Sequence, residues 1–157
     1  MASKPSSSVL ALIGWILLCF CAAASGSLWP PGEWYARLAK PSWTPPGWLF
    51  GPVWTALYLA MAVAVWRVGR AGWSGRRGAL ACFLAQWALN AAWTPVFFGL
   101  RAPFIGLCVI VALLGAIAAT LAAFARHDRV AAWLFAPYLA WVGFATALNF
   151  ELWRSNR

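Results

Sequence analysis

Five long apolar segments, separated by short connections that carry the charges and many of the prolines, dominate this sequence of 157 residues. A membrane-spanning helix needs roughly 20 mostly apolar residues, because each residue adds only about 1.5 Å along the axis. The chain is 64% hydrophobic and 10% charged, whereas soluble domains are about half apolar and a quarter charged. The sequence therefore predicts an all-α integral membrane protein, a bundle of five transmembrane helices in one domain over residues 1–157. The predicted spans cover about 9–27, 48–66, 79–99, 103–125 and 130–153.

The first span also has the features of a secretory signal peptide. Lys4 would form the positively charged region, residues 9–20 the apolar region, and the alanines at 22–24 the cleavage site. Cleavage would leave four helices, so the sequence alone allows either interpretation.

The basic residues lie mostly near the ends of the spans. The net charge of +9 therefore suits lipid headgroups better than nucleic acid, which would need a basic stripe on a soluble fold. With five spans, seven Lys and Arg residues lie on the side of the N-terminus and five on the other, which favours a cytoplasmic N-terminus. The pattern does not indicate which membrane is occupied, a bacterial envelope or an outer membrane of an organelle.

The sequence shows no catalytic set and no metal site. Its three acidic residues, Glu33, Asp128 and Glu151, are far apart, and the single histidine, His127, has no neighbouring Cys or Glu with which to hold a metal. The four cysteines all lie inside apolar runs, where they are expected to be free thiols and not disulfides.

The connection at 28–47 is the only long one. It carries five prolines and cannot be helical throughout. Its length and its aromatic residues predict a lid folded over one end of the bundle. These aromatic residues, with the one that follows the loop, are Trp29, Trp34, Tyr35, Trp43 and Trp48.

Two prolines lie inside predicted spans, Pro95 in the third and Pro137 in the fifth. Each removes a backbone donor, which a membrane helix tolerates when neighbouring groups compensate. Kinks at these prolines would open a space between helices, or would serve helix packing alone.

Polar and aromatic side chains fall on single faces of three spans. Gln86 and Asn90 lie one turn apart on the third span, and Trp93 continues their stripe. Such faces suit a cavity for a flat aromatic or sterol-like ligand, with apolar walls and a few orienting polar groups. The alternative is that the amides join neighbouring helices by hydrogen bonds. The matching faces are Trp54, Thr55 and Tyr58 on the second span and Tyr138, Trp141, Ala145, Leu148 and Asn149 on the fifth.

Ala81 and Ala85 form a pair of small residues one turn apart on the third span. Because small residues let helices approach closely, this pair predicts the seam of a homodimer.

Three stretches carry a resemblance to a known family. They read WY at 34–35, KPSWTPP at 40–46 and GPVW at 51–54; QWALNAAW at 86–93 with Pro95 and FFG at 97–99; and PYLAW at 137–141 with FAT at 144–146 and LN at 148–149. In this order and spacing they resemble the TspO/translocator protein family (TspO/MBR, tryptophan-rich sensory proteins). The first and fourth spans match that family only in hydropathy.

The resemblance implies a five-helix bundle, usually dimeric, with a ligand pocket between helices under the first loop. It implies binding of protoporphyrin and other tetrapyrroles, and in many members of cholesterol and synthetic drug ligands, with no built-in cofactor. Ala81 and Ala85 would occupy the dimer seam. By position, the ligand-binding residues would be Trp34, Tyr35, Trp54, Asn90, Trp93, Trp141, Ala145 and Leu148.

One departure weakens the expectation of sterol binding. The family's sterol-recognition stretch requires a Tyr between an aliphatic and a basic residue, whereas Phe150 stands here between Leu148 and Arg154.

The function expected from the resemblance is that of a membrane-embedded sensor or carrier of porphyrins. The alternatives are light-dependent degradation of a bound porphyrin, with Trp54 and Trp141 as the photochemical residues, and passive transport of tetrapyrroles or sterols.

Overall fold

A computed structural model describes the backbone of residues 5–157 and the side chains of residues 8–157. In this part of the chain a 3₁₀ turn at Gly47–Leu49 precedes α3, and a π-helical turn at Pro95–Gly99 continues α4. The α-helices are α1 Pro5–Leu28, α2 Glu33–Arg37, α3 Phe50–Gly69, α4 Arg77–Thr94, α5 Pro103–Ala125 and α6 Arg129–Ser155.

Five helical segments are long and apolar enough to cross a membrane. The predicted fold class, an all-α membrane protein with five spans, is confirmed, and residues 5–157 contain no strand. Lys4, which was counted in the charge asymmetry, lies outside the described residues. The spanning segments are Ser8–Leu28, Gly47–Gly69, Arg77–Gly99, Pro103–Ala125 and Arg129–Ser155.

The five long helices pack as a closed ring. The main contacts run from α1 to α3, α3 to α6, α6 to α5, α5 to α4, and α4 back to α1. Helix α1 contributes the buried Cys19 and Ala22 to the core. Removing α1 as a signal peptide would therefore open the ring and expose the faces of α3 and α4 that it covers.

Partly buried indole groups attach α1 to its neighbours. Trp66 of α3 donates its Nε1–H to the carbonyl of Ser8 at 2.8 Å, and Trp87 of α4 donates to the carbonyl of Leu18 at 2.8 Å. A hydrogen bond between membrane helices stabilises their association by about 0.6 kcal/mol on average.

The two prolines predicted to kink the spans have different effects. At Pro95 the α-helical pattern of α4 ends, and a π-type hydrogen bond from the Leu100 amide to the Pro95 carbonyl, 2.9 Å long, closes the next turn. At Pro137 helix α6 continues without interruption. Pro137 does line a cavity between α3 and α6, which is described below.

The long first loop lies at the same end of the bundle as the α4–α5 turn and the C-terminus. Asn156 holds it there: its side chain accepts a hydrogen bond from the Ala39 amide at 2.9 Å and donates one to the Ala39 carbonyl at 3.0 Å. Trp29, at the start of the loop, packs so close to Gly99 that a Cβ added there would lie 2.7 Å from the indole ring.

All four cysteines are free, as predicted. Ala81 and Ala85 are exposed on the outer face of α4, and the homodimer stays a prediction.

Candidate ligand-binding site

A chain of hydrogen bonds joins α3, α4 and α6 near the middle of the bundle. The Tyr58 hydroxyl donates to Asn90 Oδ1 at 2.8 Å, and Asn90 Nδ2 donates to the Tyr138 hydroxyl at 2.8 Å. All three side chains are buried. Asn90 therefore connects helices in this structure, which is the alternative that the sequence left open. An amide has two donor hydrogens and two acceptor lone pairs, so one of each stays available for a ligand.

Two predicted tryptophans flank this chain. Trp54 stacks on Tyr58, with ring centroids 5.4 Å apart, and meets Tyr138 edge-on at 6.1 Å. Trp141 packs against Phe144 at 5.7 Å. These aromatic pairs fix the ring planes on the facing sides of α3 and α6.

A second group of aromatic residues lies under the first loop and centres on Phe97. Trp93 stacks on Phe97 at 4.9 Å, and Trp34 and Tyr35 meet it edge-on at 5.8 and 6.4 Å. Leu148 is buried in the same cluster. We call this group the loop cluster, and the group formed by Tyr58, Asn90, Tyr138 and the residues packed around them the middle cluster.

The structure thus divides the eight predicted residues between two adjacent clusters. Trp93 packs against both clusters and connects them. Trp93 also donates its Nε1–H to Asn149 Oδ1 at 3.1 Å. Trp93 therefore links the predicted residues under the loop with those nearer the middle of the bundle. Trp34, Tyr35 and Leu148 belong to the loop cluster, and Trp54, Asn90, Trp141 and Ala145 to the middle cluster.

A cavity of about 520 Å³ opens between α3 and α6 beside the middle cluster. Its walls are almost entirely apolar and include Val53, Leu57, Pro137 and Phe144. Trp141 is the predicted ligand-binding residue that lines it. We call this space the helix cavity. Its size lies in the range typical of small-molecule sites.

The indole nitrogen of Trp141 is buried and has no hydrogen-bond acceptor within the described part of the chain. The indoles of Trp66, Trp87 and Trp93 all donate to protein oxygens, so Trp141 differs from them. A buried polar group without a partner costs about 1–3 kcal/mol. A ligand in the helix cavity, which Trp141 lines, would reach this donor once the indole ring turns towards it.

Gln86, one turn before Asn90, is another buried side chain whose polar atoms lack hydrogen-bond partners. Its side chain is fully buried, and both amide atoms lack partners among residues 8–157. The amide stripe predicted on α4 therefore contains one satisfied and one unsatisfied amide.

A second cavity of about 570 Å³ lies at the membrane surface between α2 and the α4–α5 turn. Trp34, Leu38 and Phe98 give it apolar walls, and its charged lining residues are Arg101 and the ion pair of Glu33 with Arg37. We call it the loop groove. It adjoins the loop cluster through Trp34.

Tyr35 supplies a polar group beside these aromatic rings. Burial raises the pKa of its phenol above the ordinary value, so the hydroxyl keeps its proton and its capacity to donate at neutral pH. The Lys40 ammonium lies 4.7 Å from the centroid of the Tyr35 ring.

The eight ligand-binding residues predicted from the resemblance did not include Tyr58, Tyr138, Phe97 and Arg101. Tyr58 lies four residues after Trp54 and Tyr138 three before Trp141, so helical spacing put both tyrosines on the predicted faces. Only the packing shows that they bond to Asn90. No sequence signal marks Arg101, because its relation to the groove depends on how the α4–α5 turn folds.

Comparison with known proteins gives the chain its family. The model of the TspO/MBR family matches residues 9–154, which covers all five spans. The chain belongs to the TspO/MBR family. The resemblance identified from the three stretches is confirmed, and the chain is an integral multi-pass membrane protein.

The relatives in this family carry sensory and translocator names. The chain is 46% identical to the tryptophan-rich sensory protein of Cereibacter sphaeroides over 138 residues, which cover 88% of this chain and 86% of that protein. It is 43% identical to the translocator protein of Homo sapiens over 137 residues, 83% of this chain and 81% of that one. It is 40% identical to protein CrtK of Rhodobacter capsulatus over 144 residues, 90% of each chain. Family membership therefore supports a sensor or translocator role in a membrane.

The ligand-binding roles, including a photochemical role of Trp54 and Trp141, stay predictions. In the region of the sterol stretch, Arg154 is paired with Glu151 at 2.8 Å, and the Phe150 ring is 42% exposed on the outside of α6. Neither feature supplies the hydroxyl that the family's sterol stretch requires.

Proposed function

We propose that this protein is a membrane-embedded binding protein, a sensor or carrier, for porphyrins of the protoporphyrin type. Sterols and drug-like hydrophobic ligands are the secondary ligand class. The observation that carries the proposal is Trp141, which lines the apolar helix cavity and whose buried indole N–H has no acceptor among residues 8–157.

The chemistry of a porphyrin complements this arrangement. Its flat aromatic ring suits walls of Trp, Tyr and Phe, which pack on aromatic partners by stacking and by edge-on contacts. Its ring nitrogens and carboxylates provide acceptors for unpaired donors. Because the helix cavity is apolar and lies between two membrane-spanning segments, one hydrogen bond to such a donor orients the ligand with little competition from water.

Asn90 contributes in a different way. Because Tyr58 and Tyr138 fix the amide from opposite sides, its remaining donor and lone pair point in defined directions. A ligand beside the middle cluster would thus meet a rigid polar group, which lowers the entropy lost on binding.

The test is a titration of the purified full-length protein with protoporphyrin, followed by the shift of the Soret absorption band. This signal is preferable to tryptophan fluorescence because the variants remove tryptophans. We expect saturable binding by the wild type and binding about tenfold weaker in Trp141→Phe, the loss expected for one buried hydrogen bond. Trp133→Phe is the matched control on the same helix, since Trp133 is 76% exposed on the outer surface.

Two results would contradict the proposal. One is a Soret shift that never saturates and grows with the amount of detergent, which would mean that the porphyrin only dissolves in micelles. The other is equal affinity in wild type, Trp141→Phe and Trp133→Phe, which would remove Trp141 from the binding site.

A further inference from the structure

Arg101 has an unusual backbone conformation at the edge of the loop groove. It follows the π-helical turn and has φ of 52°, the one non-glycine residue with positive φ in the described part of the chain. This left-handed conformation costs free energy for a residue with a Cβ, and helices that end this way usually have Gly or Asn at that position. Backbone strain of this kind often occurs at functional sites, so the side chain of Arg101 is a candidate for a binding role.

The guanidinium of Arg101 also has no partner from within the described residues. The chain has three acidic residues, and each already forms an ion pair: Glu33 with Arg37 at 2.9 Å, Asp128 with Arg67 at 2.9 Å, and Glu151 with Arg154 at 2.8 Å. No side-chain carboxylate of this chain is left for Arg101.

The remaining cations at this end of the bundle are engaged differently. Lys40 donates to the carbonyls of Ala36 and Leu38 at 3.1 and 3.3 Å. The Arg157 guanidinium lies 5.5 Å from the centroid of the Trp153 ring. Arg101 is thus the cation that lines the loop groove and has no ion-pair partner among the described residues.

We propose that Arg101 binds a carboxylate of the ligand in the loop groove, with the apolar part of the ligand against Trp34 and Phe98. The inference rests on the proposed function, since protoporphyrin is the amphiphile that brings the carboxylate. The groove of about 570 Å³ combines apolar walls with the guanidinium, and arginine binds a carboxylate through two parallel hydrogen bonds. Trp34 connects this groove to the loop cluster, so one flat molecule can reach both. Arg101 would then select porphyrins with free acid groups.

The experiment compares protoporphyrin with its dimethyl ester, which has the same ring and no charge. Full-length protein in phosphatidylcholine nanodiscs is titrated with each, and the Soret shift gives the affinity. We expect the wild type to bind the diacid about tenfold more tightly than the ester, and Arg101→Gln to lose this preference through weaker diacid binding alone. Arg101→Gly should behave like Arg101→Gln while melting at the same or a higher temperature, because glycine adopts the left-handed conformation without strain.

Arg157→Gln is the matched control, since it removes a cation from the same end of the bundle without touching the loop groove. It should leave the preference for the diacid unchanged. If Arg101→Gln and Arg157→Gln lost the preference for the diacid equally, the preference would come from the general surface charge. This result would overturn the role assigned to Arg101.

Three further outcomes separate this inference from the function on which it rests. Tight, saturable binding of both compounds with no preference in the wild type would overturn the role of Arg101 and leave porphyrin binding intact. Phosphatidylglycerol can also be added to the nanodiscs. If this lipid competes with the diacid for the wild type but not for Arg101→Gln, the groove binds a lipid phosphate instead. No saturable binding of either compound would remove both proposals.

Discussion

In the middle cluster one buried amide joins three helices and still has hydrogen-bonding capacity to spare. Asn90 uses half of its hydrogen-bonding capacity on Tyr58 and Tyr138 and keeps the other half free. Gln86, one turn away and fully buried, uses none within the part of the chain described. Polar groups are costly in a membrane interior, so an unsatisfied amide at this depth indicates a place that a ligand or internal water completes.

At the same scale, the size of Ala145 should control ligand access. Ala145 lies one turn beyond Trp141 on α6 and is only half-buried. Ala145→Leu should weaken protoporphyrin binding about tenfold, because the larger side chain projects into the space beside Trp141. The affinity is measured by Soret titration and the fold by thermal melting in detergent.

Ala147→Leu provides the control for this prediction, since Ala147 is exposed on the other side of α6. It should change neither affinity nor melting temperature. Wild-type affinity in Ala145→Leu would show that Ala145 does not border the ligand.

Among the structural elements, the first loop is held in position by only a few contacts. Its short helix α2 packs through Trp34 and Tyr35 on Phe97, and Asn156 pairs with both backbone groups of Ala39. The π-helical turn after α4 places Phe97 and Phe98 beneath the loop. Because π-helical turns often occur at functional sites, this turn is consistent with the proposed site at the loop.

Asn156→Ala should loosen the loop without disturbing the bundle. Both hydrogen bonds to Ala39 would be lost, so the loop should open more often and protoporphyrin should associate and dissociate about two- to tenfold faster. Stopped-flow Soret measurements give both rates. Asn156→Asp keeps the acceptor for the Ala39 amide and should give intermediate rates; rates identical to wild type in both variants would mean that the loop does not control access.

At the scale of the whole molecule, the contact between α3 and α6 helps to close the ring of helices. An ion pair supports this contact at the end opposite the loop. Arg67 near the end of α3 forms an ion pair with Asp128, which also caps α6 by accepting from the Ala131 amide at 3.0 Å. Partial burial alone would raise the pKa of Asp128, but the Ala131 amide and the Arg67 guanidinium outweigh it, and the pKa is lowered below the ordinary 3.8.

This pair makes stability depend on pH. Because the folded-state pKa lies below the unfolded one, the stabilising contribution is complete above about pH 3.8 and is lost as the pH falls through the lowered value. The Asp128 side chain is 15% exposed and that of Arg67 27%, so we expect a contribution of about 1 kcal/mol.

Thermal melting in detergent at about pH 7 and about pH 3 tests this expectation. Asp128→Asn keeps an N-cap and removes the titrating charge, so it should be less stable than wild type at neutral pH, and this difference should shrink as the pH falls through the lowered pKa of Asp128. The same difference at both pH values would show that the ion pair does not contribute.

The sequence by itself determined the five spans, the proline-rich loop, the polar faces of three helices and the family. Hydropathy and helical periodicity depend on residue types and spacing alone, so they need no knowledge of neighbouring helices. They placed Trp54, Asn90 and Trp141 on inward faces of α3, α4 and α6. In the structure the hydrogen bonds of Asn90 join these three helices.

Only the tertiary structure decided how those faces are used. Periodicity gives the face of a helix but not the distance to the next one, and a hydrogen bond forms only within about 3.2 Å. Packing therefore determined that Asn90 is held by two tyrosines, that Trp141 and Gln86 have no partner among residues 8–157, and that the predicted residues form two clusters joined at Trp93. The position of Arg101 at the loop groove follows from the fold of a turn, which residue spacing does not encode.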